Sequence, residues 1–153
     1  MNENVVNQNP GAGAAQTAQS PVGTLRTNRS LLKTILLSCV TFGIYGLVVY
    51  CNMSTDINTI AQRYDGKKTM HYALVVFIFS WLTLMIYPIV WLHKFCARIG
   101  NELKRRGINY DFGAKDMWLW GVLGSIIIVG PFIFAHKMFS AMNKLCADYN
   151  EKG

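Results

Sequence analysis

The chain has 153 residues, of which 52% are hydrophobic and only 15% charged, against about 25% charged in an ordinary soluble domain. Its formal charge of +7 raises nucleic acid as a partner. The Lys and Arg residues gather just outside apolar runs, however, as lipid-flanking charges do, and no nucleic-acid motif accompanies them.

Residues 1–25 are rich in Asn, Gln, Ala, Gly, Ser and Pro and are expected to form a disordered polar tail. Such a composition buries too little apolar area to offset backbone ordering. Arg26, Arg29 and Lys33 follow as a basic flank. The windows Thr34 to Met53, Tyr72 to Leu92 and Met117 to Ala135 then contain no Asp, Glu, Lys or Arg. About 20 apolar residues of helix cross a ~30 Å hydrocarbon layer, and a soluble core helix of that length would keep one polar face. The expectation is three membrane-embedded helices.

Each window contains breakers and is followed by an amphipathic segment. Gly43, Tyr45 and Gly46 interrupt the first, and Met53, Ile57, Ile60 and Tyr64 then fall at i, i+4, i+7 and i+11, one stripe on a helix. Asp65-Gly66 reads as its stop. Tyr87-Pro88 punctuates the second window. Phe95, Ile99 and Leu103 make the next stripe, and Gly107 ends it. Gly130-Pro131 breaks the third window, before Met138, Met142, Leu145 and Tyr149. Tyr45, Tyr50, Trp91, Trp118 and Trp120 suit an interfacial belt.

Set side by side, the units 29–66, 70–107 and 116–150 share a register. Thr41/Thr83, Ile44/Ile86 and Tyr45/Tyr87 match at an offset of 42, and Pro88/Pro131, His93/His136 and Lys94/Lys137 at 43. A repeat of this length signals stacked units. The expected fold is an all-α membrane domain over 26–153: three hydrophobic helices, each followed by an amphipathic helix at the interface, arising by internal triplication with a ~42-residue period.

Arg29, Ile35-Leu36-Leu37-Ser38, Thr41-Phe42-Gly43-Ile44-Tyr45-Gly46 and Asp56-Ile57-Asn58 resemble a bacterial membrane-protein domain family of unknown function, numbered 4234. The resemblance covers roughly Arg29 to Leu103, and the T-x-G-I-Y-G core is its specific part. Val48-Val49-Tyr50 stands where such domains often show an aromatic pair. The resemblance implies a multi-pass bacterial membrane protein and supplies no activity.

With three spans, the positive-inside rule places the N-terminus in the cytoplasm, because the tail and second loop carry more Lys and Arg than the other side. If the chain instead reversed at each breaker, every unit would be a re-entrant hairpin with its basic residues on one face. Exposed backbone at a turn in lipid weighs against that alternative.

No constellation of catalytic residues emerges. His93-x-x-Cys96 with His136 lacks a fourth ligand and reads as interfacial residues. Cys39, Cys51, Cys96 and Cys146 read as buried free thiols. Lys33 interrupts the apolar run before Leu36-Leu37-Ser38-Cys39, so a cleaved lipoprotein signal is disfavoured. Asp56, Lys94, Lys104, Arg105 and Arg106 are the candidate headgroup contacts. The expected function is a non-enzymatic integral membrane module, without a cofactor or a metal. It would associate with membrane lipids, itself or a membrane-protein partner. The competing function is a small transporter or lipid-handling protein with its site at the helix breaks.

Overall fold

The computed structural model describes residues 21, 23–84 and 86–153. The expected polar tail over 1–25 falls almost entirely outside them. Among the described residues every regular element is helical. The helices come in three pairs, each a short arm followed by a long arm. The short arms are Leu31–Val40, the run 72–82 and the run 114–127; the long arms are Ile44–Asp65, Ile86–Arg105 and Gly130–Lys152. Two short arms are irregular, with π-helical turns at Val75–Phe79 and Met117–Val122 and a 3-10 stretch at Leu123–Ile127.

Each pair folds back on itself as a hairpin. Near the bends, Gly46 lies against Ser38, Phe79 stacks on Tyr87 at 4.5 Å, and Gly130 rests directly on the backbone of Gly124. Farther away, Arg29 pairs with Asp56, Tyr72 packs on Trp91 at 5.1 Å, and Asp116 pairs with Lys137. The bends carry the positive-φ residues Phe42 (51°), Leu84 (47°) and Ile128 (34°). A left-handed conformation is unusual for such side chains. It is what turns the chain between one arm and the next.

These bends overturn the three membrane spans and, with them, the multi-pass cell-membrane assignment. No helix among the described residues is long and apolar enough to cross a membrane. The physical reason lies in how each charge-free window is divided. The 10-residue arm Leu31–Val40 is only about 15 Å long, half of a ~30 Å hydrocarbon layer. The 22-residue arm Ile44–Asp65 has the length, but its second half carries Asp56, Arg63 and Asp65. The window was long enough in sequence and is split in space.

The amphipathic stripes are real, but they face one another. Met53, Ile57, Ile60, Phe95, Ile99, Leu103, Met138, Met142, Leu145 and Tyr149 are all buried in one core. The helices expected at the interface are amphipathic, but their apolar faces are spent on a three-helix core. Tyr64 is the exception. It stays exposed, with the Arg105 guanidinium 3.4 Å over its ring. Gly66 (φ +61°) and Gly107 (φ +67°) sit just past the first two long arms, in the left-handed cap geometry that glycine adopts without strain.

All three long arms run the same way: Asn58 and then Tyr64 on the first meet Arg98 and then Arg105 on the second. The third runs antiparallel to the segment leading into the first short arm, Asn143 meeting Arg29 and Asn150 meeting Leu25. Asn58 accepts from Arg98 at 2.5 Å, Arg106 donates to Asp148 at 2.9 Å, and Arg29 links Asp56 to Cys146. The chain before the first hairpin lies along the third long arm. Asn143 exchanges hydrogen bonds with the Arg29 backbone, and Asn150 does the same at Leu25. Parallel long arms put the three bends at one end, here called the tips, and the polar helix ends at the other, the base.

Candidate functional site

The tips are apolar and uncovered. Phe42 is 98% exposed, Leu84 86% and Ile128 79%. Among the described residues, every exposed large hydrophobic side chain except Tyr64 falls within 32–48, 74–90 or 118–132. Isolated surface hydrophobics are ordinary, whereas large contiguous apolar patches are the kind of surface on which proteins bind partners or lipid.

A boundary separates tips from base. The stretches 34–55, 69–93 and 117–136 hold no Asp, Glu, Lys or Arg, so on both arms of every hairpin the charges begin at the core. Lys33 and Asp56, Lys68 and Lys94, and Asp116 and Lys137 mark it. Aromatic side chains with polar edges lie nearby. The Trp91 indole donates to the Met70 carbonyl at 2.9 Å, and that of Trp118 donates to Nδ1 of His93 at 3.1 Å, tying the second hairpin to the third.

The bends satisfy their own backbone. Thr41 Oγ1 donates to the Leu37 carbonyl at 2.7 Å and accepts the Tyr45 N–H at 2.9 Å. One hydroxyl thus closes the short arm and caps the long one. Thr83 does the same, donating to Phe79 at 2.6 Å and accepting from Tyr87 at 3.1 Å. Gly43 N–H reaches the Ser38 carbonyl at 2.7 Å. The third bend works differently, through the Gly124–Gly130 contact and Pro131 in the first turn of its long arm, where a missing N–H is harmless.

The residues singled out from sequence divide between these regions. Gly43 is at the first bend. Tyr45, Gly46, Tyr87, Pro88, Gly130 and Pro131 lie in the opening turns of the long arms. Asp56 is engaged by Arg29. Arg105 and Arg106 both pair with buried Glu102, at 2.5 and 2.8 Å, and Arg106 also reaches Asp148. Lys94 and Lys104 are exposed and make no ion pair among the described residues. Cys96 is sealed in the core, where burial pushes its thiol up. Sequence reading missed Thr41 and Thr83 as joint caps. Their signal is the shared T-x-x-x-Y spacing, which sets a hydroxyl against the N–H four residues on.

A groove lies beside the second long arm, about 820 Å³ in volume, where the link 64–70 crosses it. Its floor is buried Arg98, which donates to Asp65 at 2.7 and 3.0 Å, to Asn58 at 2.5 Å, to Thr69 at 2.7 Å and to the Lys67 carbonyl. Burial alone would raise the Asp65 carboxyl, but the Arg98 bonds outweigh it and hold Asp65 below the usual carboxylate range.

Residues 29–101 match the family described as Domain of unknown function (DUF4234). The matched stretch runs through the first hairpin and most of the second, and the family's description names no activity. Neither the curated proteins nor the solved structures hold a match to the chain.

Proposed function

We propose that this chain, whose residues 29–101 match the DUF4234 family, is a non-enzymatic module that docks on an anionic lipid surface by dipping its three tips into one leaflet. The carrying observation is a length. From the start of each long arm to its first charged residue (Ile44 to Asp56, Ile86 to Lys94, Gly130 to Lys137) the helix rises about 10–18 Å. One leaflet of hydrocarbon is ~15 Å deep. The tips match a leaflet in depth, in lack of charge, and in the Lys and Trp residues at their boundary.

The cost that weighed against a turn in lipid is unsatisfied backbone. The Thr41 and Thr83 caps remove much of it, since they return bend N–H and carbonyl groups to partners within the chain. The gain is ordinary. Burying one Leu, Ile or Phe side chain is worth about 1.5–3 kcal/mol, and each tip offers several. We also read the hairpins as repeats of one unit. The repeated Thr cap and the stripes in common register support that reading.

The test is flotation of the full chain with vesicles of phosphatidylglycerol and phosphatidylcholine in equal parts. The expected result is binding to these vesicles and weaker binding to pure phosphatidylcholine. The triple variant Phe42→Asp, Leu84→Asp, Ile128→Asp should lose it, at about a hundredfold per tip, because a carboxylate in hydrocarbon costs ~3 kcal/mol. A wild-type chain that ignores the vesicles and instead hides its tips in a discrete oligomer contradicts the proposal.

A further inference from the structure

The groove beside the second long arm is graded along its length. Met70, Tyr87, Val90 and Trp91 line it toward the tip, and Lys67, Lys68, Lys94, Arg98 and Arg105 toward the base. Two of those cations are already engaged: Arg98 by Asp65 and Arg105 by Glu102. Lys67, Lys68 and Lys94 remain, exposed and without an ion pair among the described residues. At about 820 Å³ the space lies in the ~300–1,000 Å³ range of small-molecule sites. Its apolar end begins at Tyr87, beside the second bend.

We propose that this groove holds one phosphate-bearing amphiphile, its headgroup among Lys67, Lys68 and Lys94 and its tail along Tyr87, Val90 and Trp91. Ammonium groups on flexible stems suit a phosphate that need not be gripped in a fixed fork. The order of the groove sets the ligand's direction: charge toward the base, tail toward the tip. This deepens the docking reading and rests on it in one respect, that a tail in the groove need not leave the leaflet the tip has entered.

The experiment is native mass spectrometry of the full chain released from a neutral detergent, with oleoyl lysophosphatidate as the probe. Glycerol phosphate supplies the head without a tail, and oleoyl lysophosphatidylcholine the tail without net charge. The expected result is a single lysophosphatidate adduct, none with glycerol phosphate, and a weaker one with lysophosphatidylcholine. Lys68→Gln with Lys94→Gln should weaken the lysophosphatidate adduct about tenfold or more without altering thermal unfolding, since neither ammonium group supports the fold. An adduct that survives this double variant, or glycerol phosphate binding equally well, overturns the proposal. Vesicle flotation of the same preparation separates the two readings. Flotation without an adduct refutes the groove alone, and an adduct without flotation supports the groove while refuting docking by the tips.

Discussion

At the base, Ile57, Ile99 and Met142 are completely sealed, and the charges around them are joined in pairs such as Glu102 with Arg106 and Asp148 with Lys152. At the tips, side chains of the same kind stand open, with Phe42 almost wholly exposed, and no charge lies near them in sequence. The two ends are built from one continuous helix in each long arm. What differs is which neighbours the arm meets: two other arms at the base, one short arm at the tip. An apolar stripe is therefore no guide to its own fate until the partner helices are placed.

Substitution can sharpen this contrast. The largest effect is expected from Ile99→Ala, which opens a cavity in the sealed core and should cost about 2–5 kcal/mol in denaturant unfolding. Leu84→Ala at a tip should stay within about 0.5 kcal/mol under the same conditions. Equal losses at both positions would erase the distinction between the ends. Next comes Gly130→Ala, where a Cβ would fall on the Gly124 backbone. Overpacking there should cost about 1–3 kcal/mol. Gly121→Ala, whose Cβ would have 3.7 Å to Phe134, serves as the tolerated control.

Asp65→Asn tests the clasp that holds the 64–70 link on Arg98. The expected loss at neutral pH is about 1–2 kcal/mol, the scale of a charge-assisted bond to a buried partner. Its pH dependence has a definite sign. The Asp65 carboxyl is held below its ordinary value of 3.8, so its contribution is full above that value and is lost as pH falls through the lowered one. The gap between wild type and Asp65→Asn should therefore hold at pH ~5 and close below pH ~4. A gap that widens on acidification would mean that Asp65 opposes the fold. A smaller loss is expected at the caps of the bends. Thr41→Val and Thr83→Val should each cost about 1 kcal/mol as lost caps. Unequal costs would show that the two bends are alike in geometry but not in energy.

Much of the base was legible in the sequence. Period-3.6 spacing of Met53, Ile57 and Ile60, repeated at Phe95 and Met138, marked the core faces, and Asp65-Gly66 and Gly107 marked two helix ends. The burial partner was not legible, because periodicity gives a face and says nothing of what covers it. The bends were harder still. Gly43 signalled one directly, but Pro88 and Pro131 drew attention a few residues past the turns, which fall on Leu84 and Ile128, residues with no intrinsic preference for a left-handed backbone. Charge-free windows near 20 residues long then suggested spans, since composition does not reveal that a helix stops halfway. The groove needed the link 64–70 brought against Arg98, a contact between residues 33 apart that no local pattern encodes.

On the proposed docking, the tips enter one leaflet and go no farther. Single cysteines at Phe42, Leu84 and Ile128, and at Lys67 and Lys152 as base controls, in a chain cleared of its own thiols and bound to sealed vesicles, would test it directly with an impermeant thiol reagent. Added to the side carrying the protein, the reagent should label both base positions and leave the three tips protected. Supplied from the vesicle lumen, it should label none. Labelling of any tip from the lumen would show a chain that crosses the layer and would contradict the account.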